Sequence, residues 1–109
     1  MEFFKISKMR KEVDYKVTNG KLIRIEAILD SANKSIIKDI KITGDFFIHP
    51  ENSIFEIENL IKNARLEEDD LTALKNNLNE FINKNNIKLI GFCIDDLMNA
   101  IKEFVKNSN

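Results

Sequence analysis

At 109 residues, 43% hydrophobic and 32% charged, the chain has the size and composition of one soluble domain, large enough to bury a core without staples. A net charge of -1 and a pI near 5.9 exclude the strong basic footprint of a general nucleic-acid binder. One cysteine excludes an internal disulfide, which fits a reducing cytoplasm, and no apolar run approaches the ~20 residues of a membrane span.

Residues 1–12 read as an N-terminal arm that mixes Phe3, Phe4, Ile6 and Met9 with Lys and Arg. It packs back onto the domain, reaches a partner or is a disordered terminus. The domain proper spans 13–106. Val13, Tyr15 and Val17 alternate with Glu12, Asp14 and Lys16, the period of a half-buried strand. Asn19-Gly20 predicts a two-residue type I′ turn, since both positions there need positive φ. The return strand places Ile23, Ile25, Ala27 and Leu29 on one face and Arg24 and Glu26 on the other. After a turn over 30–34, a third strand places Ile36, Ile40 and Ile42 inward and Asp39, Lys41 and Thr43 outward.

The third strand leads into Thr43-Gly44-Asp45-Phe46-Phe47-Ile48-His49-Pro50-Glu51, where alternation gives way to helical periodicity. Strict alternation through Gly44 would bury Phe46 and Ile48. It would leave Phe47 on the outer sheet face beside Leu22 and Ile28, an apolar patch of the kind that contacts another molecule. A bulge at Gly44 would swap that register. Pro50 bars helix before it, and Ser53 with Glu56 predicts a capping box.

Three helices follow in the pattern. The first, over about 54–64, carries a stripe of Ile54, Ile57, Leu60, Ile61 and Ala64. The second follows the acidic run Glu67–Asp70, presents Leu71, Leu74, Leu78, Phe81 and Ile82, and is stopped by Asn83–Asn86. Ile87 to Ile90 is a short extended piece ended by Gly91. Asp95 or Asp96 caps the third helix, with Leu97, Ile101, Phe104 and Val105 apolar. The predicted architecture is α+β in two layers: a three-stranded antiparallel meander plus a short additional extended segment, covered on one face by about three helices.

No residue set carries catalysis. Cys93 lies between a strand end and a helix start, flanked by Phe92 and Ile94, and reads as a buried structural thiol. His49, the only histidine, has no partners at metal-ligand spacing and reads as orienting the turn. Glu67–Asp70 lacks the spaced ligands and glycine of a calcium loop and complements a helix dipole instead. Gly44-Asp45 has neither the second glycine nor the lysine of a phosphate loop; it reads as a bend with a local turn cap.

Several stretches also carry a resemblance. Gly44-Asp45-Phe46-Phe47, then Pro50-Glu51 and an Ile-, Glu- and Leu-rich helix, resemble the C-terminal domain of lipoate–protein ligases. Gly20-Lys21-Leu22-Ile23-Arg24 is similar to that family's glycine-lysine strand entry. Asn86-Ile87-Lys88-Leu89-Ile90-Gly91 and Asp95-Asp96-Leu97 match as well. Asn19 departs from the pattern, standing where a second glycine is common. The similarity runs from about 13 to 105, and a free-standing domain of this length is most similar to the small accessory subunit of two-subunit, archaeal-type ligases. The resemblance implies no catalytic, cofactor or metal residues on this chain. Lipoate and ATP, with Mg, are then expected mainly on a catalytic subunit, the heterodimer partner. The complex would make lipoyl-AMP and lipoylate a lysine of an acceptor, either a lipoyl domain or a glycine-cleavage carrier. It marks Lys21, Leu22, Arg24, Gly44, Asp45, Phe46, Phe47, Pro50 and Glu51 as motif or interface residues. Two other readings of the residues stand beside it: an adaptor unrelated to lipoate, and a carrier or sulfur-transfer protein working through Cys93.

Overall fold

The computed structural model describes residues 10–17, 21–33 and 35–107. The arm residues 1–9, the Asn19-Gly20 turn and the Val105 side chain lie outside the described ones. Strand β1 (Arg10–Lys16), β2 (Leu22–Leu29) and β3 (Ile37–Gly44) form an antiparallel sheet in sequence order. A second, two-stranded antiparallel sheet joins β4 (Phe47–His49) to β5 (Lys88–Ile90). Three helices complete the α+β fold: α1 (Ser53–Ile61), α2 (Glu68–Lys84) and α3 (Ile94–Asn107). α3 packs on β1 and β2, α1 packs on β3, and α2 packs against both helices, so one sheet face is covered.

The alternation read in β1 and β2 holds. Val13, Ile23, Ile25, Ala27 and Leu29 are buried and meet Ile57, Leu97, Ile101 and Phe104 in one core. The outer face is charged: Arg24 pairs with Asp14, and Arg10 with Glu26. Tyr15 faces Ile23, Lys16 faces Leu22, and Val17 N–H donates to Lys21 O (2.8 Å). One detail of register differs from expectation. In β3 the pairing skips Lys38, since Asp39 faces Ile28 but Ile37 faces Leu29. This bulge turns Ile37 into the core in place of Ile36, which is only half-buried.

The first helix begins and ends otherwise than expected, while the other two keep their expected ends. Ser53 is the first residue of α1, and Asn52 precedes it without a side-chain cap, so no capping box forms. Instead the turn after Pro50 winds directly into the helix through Ser53 N–H to Pro50 O (3.0 Å) and Phe55 N–H to Asn52 O (3.1 Å). α1 stops at Ile61, short of Ala64, because Asn63 takes a left-handed conformation (φ 68°). Leu60, within the helix, is exposed. In α2, Leu71, Leu74 and Leu78 are buried as the period predicts. Asp96 serves α3 from within its first turn, accepting the Cys93 N–H at 2.9 Å. Among the described residues no helix is long and apolar enough to cross a membrane.

Candidate functional site

The sheet is left by an abrupt break. Gly44 has φ 153°, where a side chain is disfavoured, and a Cβ there would lie 2.1 Å from Leu22 O and 2.9 Å from Phe46 Cε2. Asp45 N–H donates to the same Leu22 O (2.9 Å). The chain then crosses through Phe46 to β4, which pairs with β5 and not with β2. The continuous strand expected through Ile48 is therefore two strands in two sheets. Phe47 does not join Leu22 and Ile28 on the outer face of the first sheet; it faces Ile90 across β4–β5.

Residue for residue, much of the expected pattern survives that correction. Ile48 is buried, Phe47 is 72% exposed and Phe46 is half-buried. The Phe46 ring lies 4.5 Å from that of Phe92, at a tilt of 44°. Gly91, at φ 97°, lets the end of β5 approach the crossing: a Cβ there would sit 3.2 Å from Asp45 O. The His49–Pro50 peptide bond is cis and delivers the chain from β4 to α1.

These elements enclose a groove of about 670 Å³. Ile42, Phe46, Ile48 and Ile54 supply its inner lining, Phe47 and Ile90 its outer one, and Thr43, His49, Glu51 and Lys88 its polar edge. Phe47 and Ile90 (55% exposed) form a cross-strand apolar pair in water. An open apolar groove with a polar margin is built for contact with another surface.

Of the nine residues singled out from sequence, Gly44, Phe46, Phe47 and Glu51 line the groove. Asp45 and Pro50 are the bends at either end of Phe46–His49. Leu22 supports the groove from behind through its carbonyl. Lys21 is exposed beside the hairpin, with its carbonyl paired to Val17. Arg24 belongs to a different surface, where Nε and Nη2 bond the two Asp14 carboxylate oxygens at 2.8 and 3.1 Å. The Arg24 hydrogen bonds hold the Asp14 carboxyl below the usual carboxylate range, and Asp14 raises Arg24 in turn. Both side chains are on the exposed face of the sheet, so this pair adds little to stability. Sequence reasoning missed Ile90, Lys88 and Ile54 as groove residues.

Cys93 is exposed, contrary to the buried thiol expected. It precedes α3, and its Sγ lies 3.2 Å from Asp96 Oδ2. The flanking Phe92 and Ile94 take the core positions instead. Alkylation will therefore label Cys93 whatever its role, and substitution is the informative test. Cys93→Ala is expected to fold normally and, in cells that depend on this chain, to support growth as wild type does. A folded variant that fails to do so would favour the thiol-carrier reading.

Residues 24–101 match the family described as the bacterial lipoate protein ligase C-terminus. One relative, lipoate-protein ligase A subunit 2 of Thermoplasma acidophilum, is 41% identical over 54 residues. That match takes in 50% of this chain and 53% of the relative, so the chain spans about half the length of the curated relative it matches. The fold is also similar to a chain of a solved archaeal lipoylation system, a bi-partite lipoate protein ligase and its E2 lipoyl domain from Thermoplasma acidophilum. There the TM-score is 0.66 at 28% identity, with 85% of this chain and 94% of that chain covered.

Proposed function

This chain belongs to the family of the bacterial lipoate protein ligase C-terminus, and from that membership we propose that it is the non-catalytic accessory subunit of a two-part lipoate–protein ligase. The observation that carries the reading is the likeness, in sequence and in fold, to subunit 2 of one such ligase and to a chain of a bi-partite one. The partner is the catalytic subunit, bound as a heterodimer in the cytoplasm. Together they join lipoate to ATP, releasing pyrophosphate and forming lipoyl-AMP. A lysine amine of the acceptor protein, a lipoyl domain or a glycine-cleavage carrier, then displaces AMP. Lipoate, ATP and Mg lie mainly on the catalytic subunit. Among the described residues no three His, Cys, Asp or Glu side chains are grouped to hold a metal ion. No step on a metal or nucleotide is assigned to these residues. Their contribution is to close over the catalytic subunit through the Phe47 groove, completing its site and excluding water.

The experiment is pyrophosphate release from ATP in the presence of lipoate, with this chain alone, the catalytic subunit alone, and both. Release is expected only from the pair. Robust release by this chain alone would overturn the proposal.

A further inference from the structure

The edge of β3 that faces away from β2 is closed in two different ways. At its start, backbone covers it: Ile37 N–H donates to Ala64 O (3.0 Å), and Asn63 N–H donates to Ile37 O (2.7 Å). Further along, no strand among the described residues lies beside it, and side chains take over. In an antiparallel ladder, alternate residues turn their amides to opposite sides. Asp45 donates to Leu22, so residues 43, 41 and 39 also face β2, while the amides of Ile40 and Ile42 face outward. Asp39 Oδ1 accepts the Ile40 N–H at 2.9 Å. Glu58 Oε2 reaches from α1 and accepts the Ile42 N–H at 2.8 Å.

An uncovered strand edge is a template for pairing with another chain. The sequence of β3 suits a second copy of itself. In an antiparallel pairing of two β3 strands centred on Ile40, exposed Asp39 of each copy faces exposed Lys41 of the other. Opposite charges meet at both positions. The same register places outward amides against outward carbonyls. Centring on Lys41 would instead set lysine against lysine. The pairing stretch is short, because the 63–66 segment covers the edge at one end and β3 finishes at Gly44 at the other.

We propose that Glu58 is an edge guard: by occupying the Ile42 amide, its carboxylate holds back the pairing of β3 with a second copy of this chain. The guard keeps the domain available to an unlike partner, but the inference does not rest on the ligase reading. Self-association is measured without partner, ATP or lipoate. The test is sedimentation of the whole chain over a concentration series. Glu58→Ala is expected to dimerise at least about tenfold more tightly than wild type, the scale of one charge-assisted hydrogen bond. Glu58→Gln should behave as wild type, since its amide oxygen still accepts. Adding Lys41→Glu to Glu58→Ala should restore the monomer by setting acid against acid. A folded Glu58→Ala that sediments as wild type, or a dimer indifferent to Lys41→Glu, would overturn the proposal. Should Glu58→Ala fail to fold, Glu58→Leu keeps the volume, removes the acceptor and is read by the same outcomes.

Discussion

Gly44→Ala is expected to lower the melting temperature of the chain by roughly 10–20 °C, on the order of 3 kcal/mol for a domain of this size. Two separate costs combine. The φ of 153° is one that a residue with a Cβ rarely adopts, and the new methyl would meet Leu22 O at 2.1 Å. That oxygen cannot step aside, because it is main chain of the central strand and accepts the Asp45 N–H. The second neighbour, Phe46 Cε2 at 2.9 Å, belongs to a ring already packed against Phe92. Gly91→Ala is the internal control. Its φ is also positive, but its nearest contact is 3.2 Å, so a few tenths of an ångström of relaxation suffice. Thermal melts of both variants decide the point. A loss for Gly44→Ala no larger than for Gly91→Ala would show that the crossing from the first sheet to the second is free to move.

The contrast between the two glycines marks how much of this fold is legible without coordinates. Local periodicity located β1, β2, α2 and α3 well, because burial on one face imposes a period of two or 3.6 on the residues themselves. It also predicted an exposed Phe47 and a buried Ile48, since both follow from local extension. It failed wherever a partner distant in sequence decided the outcome. Phe47 pairs with Ile90, more than forty residues on, and nothing near either residue announces that second sheet. The Lys38 bulge has no glycine to mark it, so Ile36 and Ile37 exchanged roles. Cys93 looked buried because its neighbours are apolar. The helix that starts at Ile94 turns those neighbours inward and the thiol out. The groove therefore showed one wall in the sequence, Gly44 to Glu51, and hid the other.

The exposed wall carries the second large effect. Phe47→Ala is expected to fold almost as wild type yet to bind the catalytic subunit more than about tenfold more weakly, the loss of roughly 2 kcal/mol typical of an aromatic interface anchor. The side chain is 72% exposed, so truncating it opens no cavity. Its cross-strand neighbour Ile90 is also exposed, so the two form one apolar ridge that gains from burial only when another surface covers it. Phe46→Ala should do the reverse. It loses a half-buried ring packed at 4.5 Å against Phe92 and so costs roughly 2 kcal/mol of stability, from burial and aromatic contact together. Adjacent phenylalanines thus report separately on the interface and on the fold, and Ile90→Ala should side with Phe47→Ala. Calorimetric titration against the catalytic subunit, with thermal melts on the same preparations, separates the outcomes. If Phe47→Ala binds as wild type while remaining folded, the groove is not the docking surface. If it destabilises the free chain as much as Phe46→Ala does, the ridge is covered by part of this chain and not by a partner.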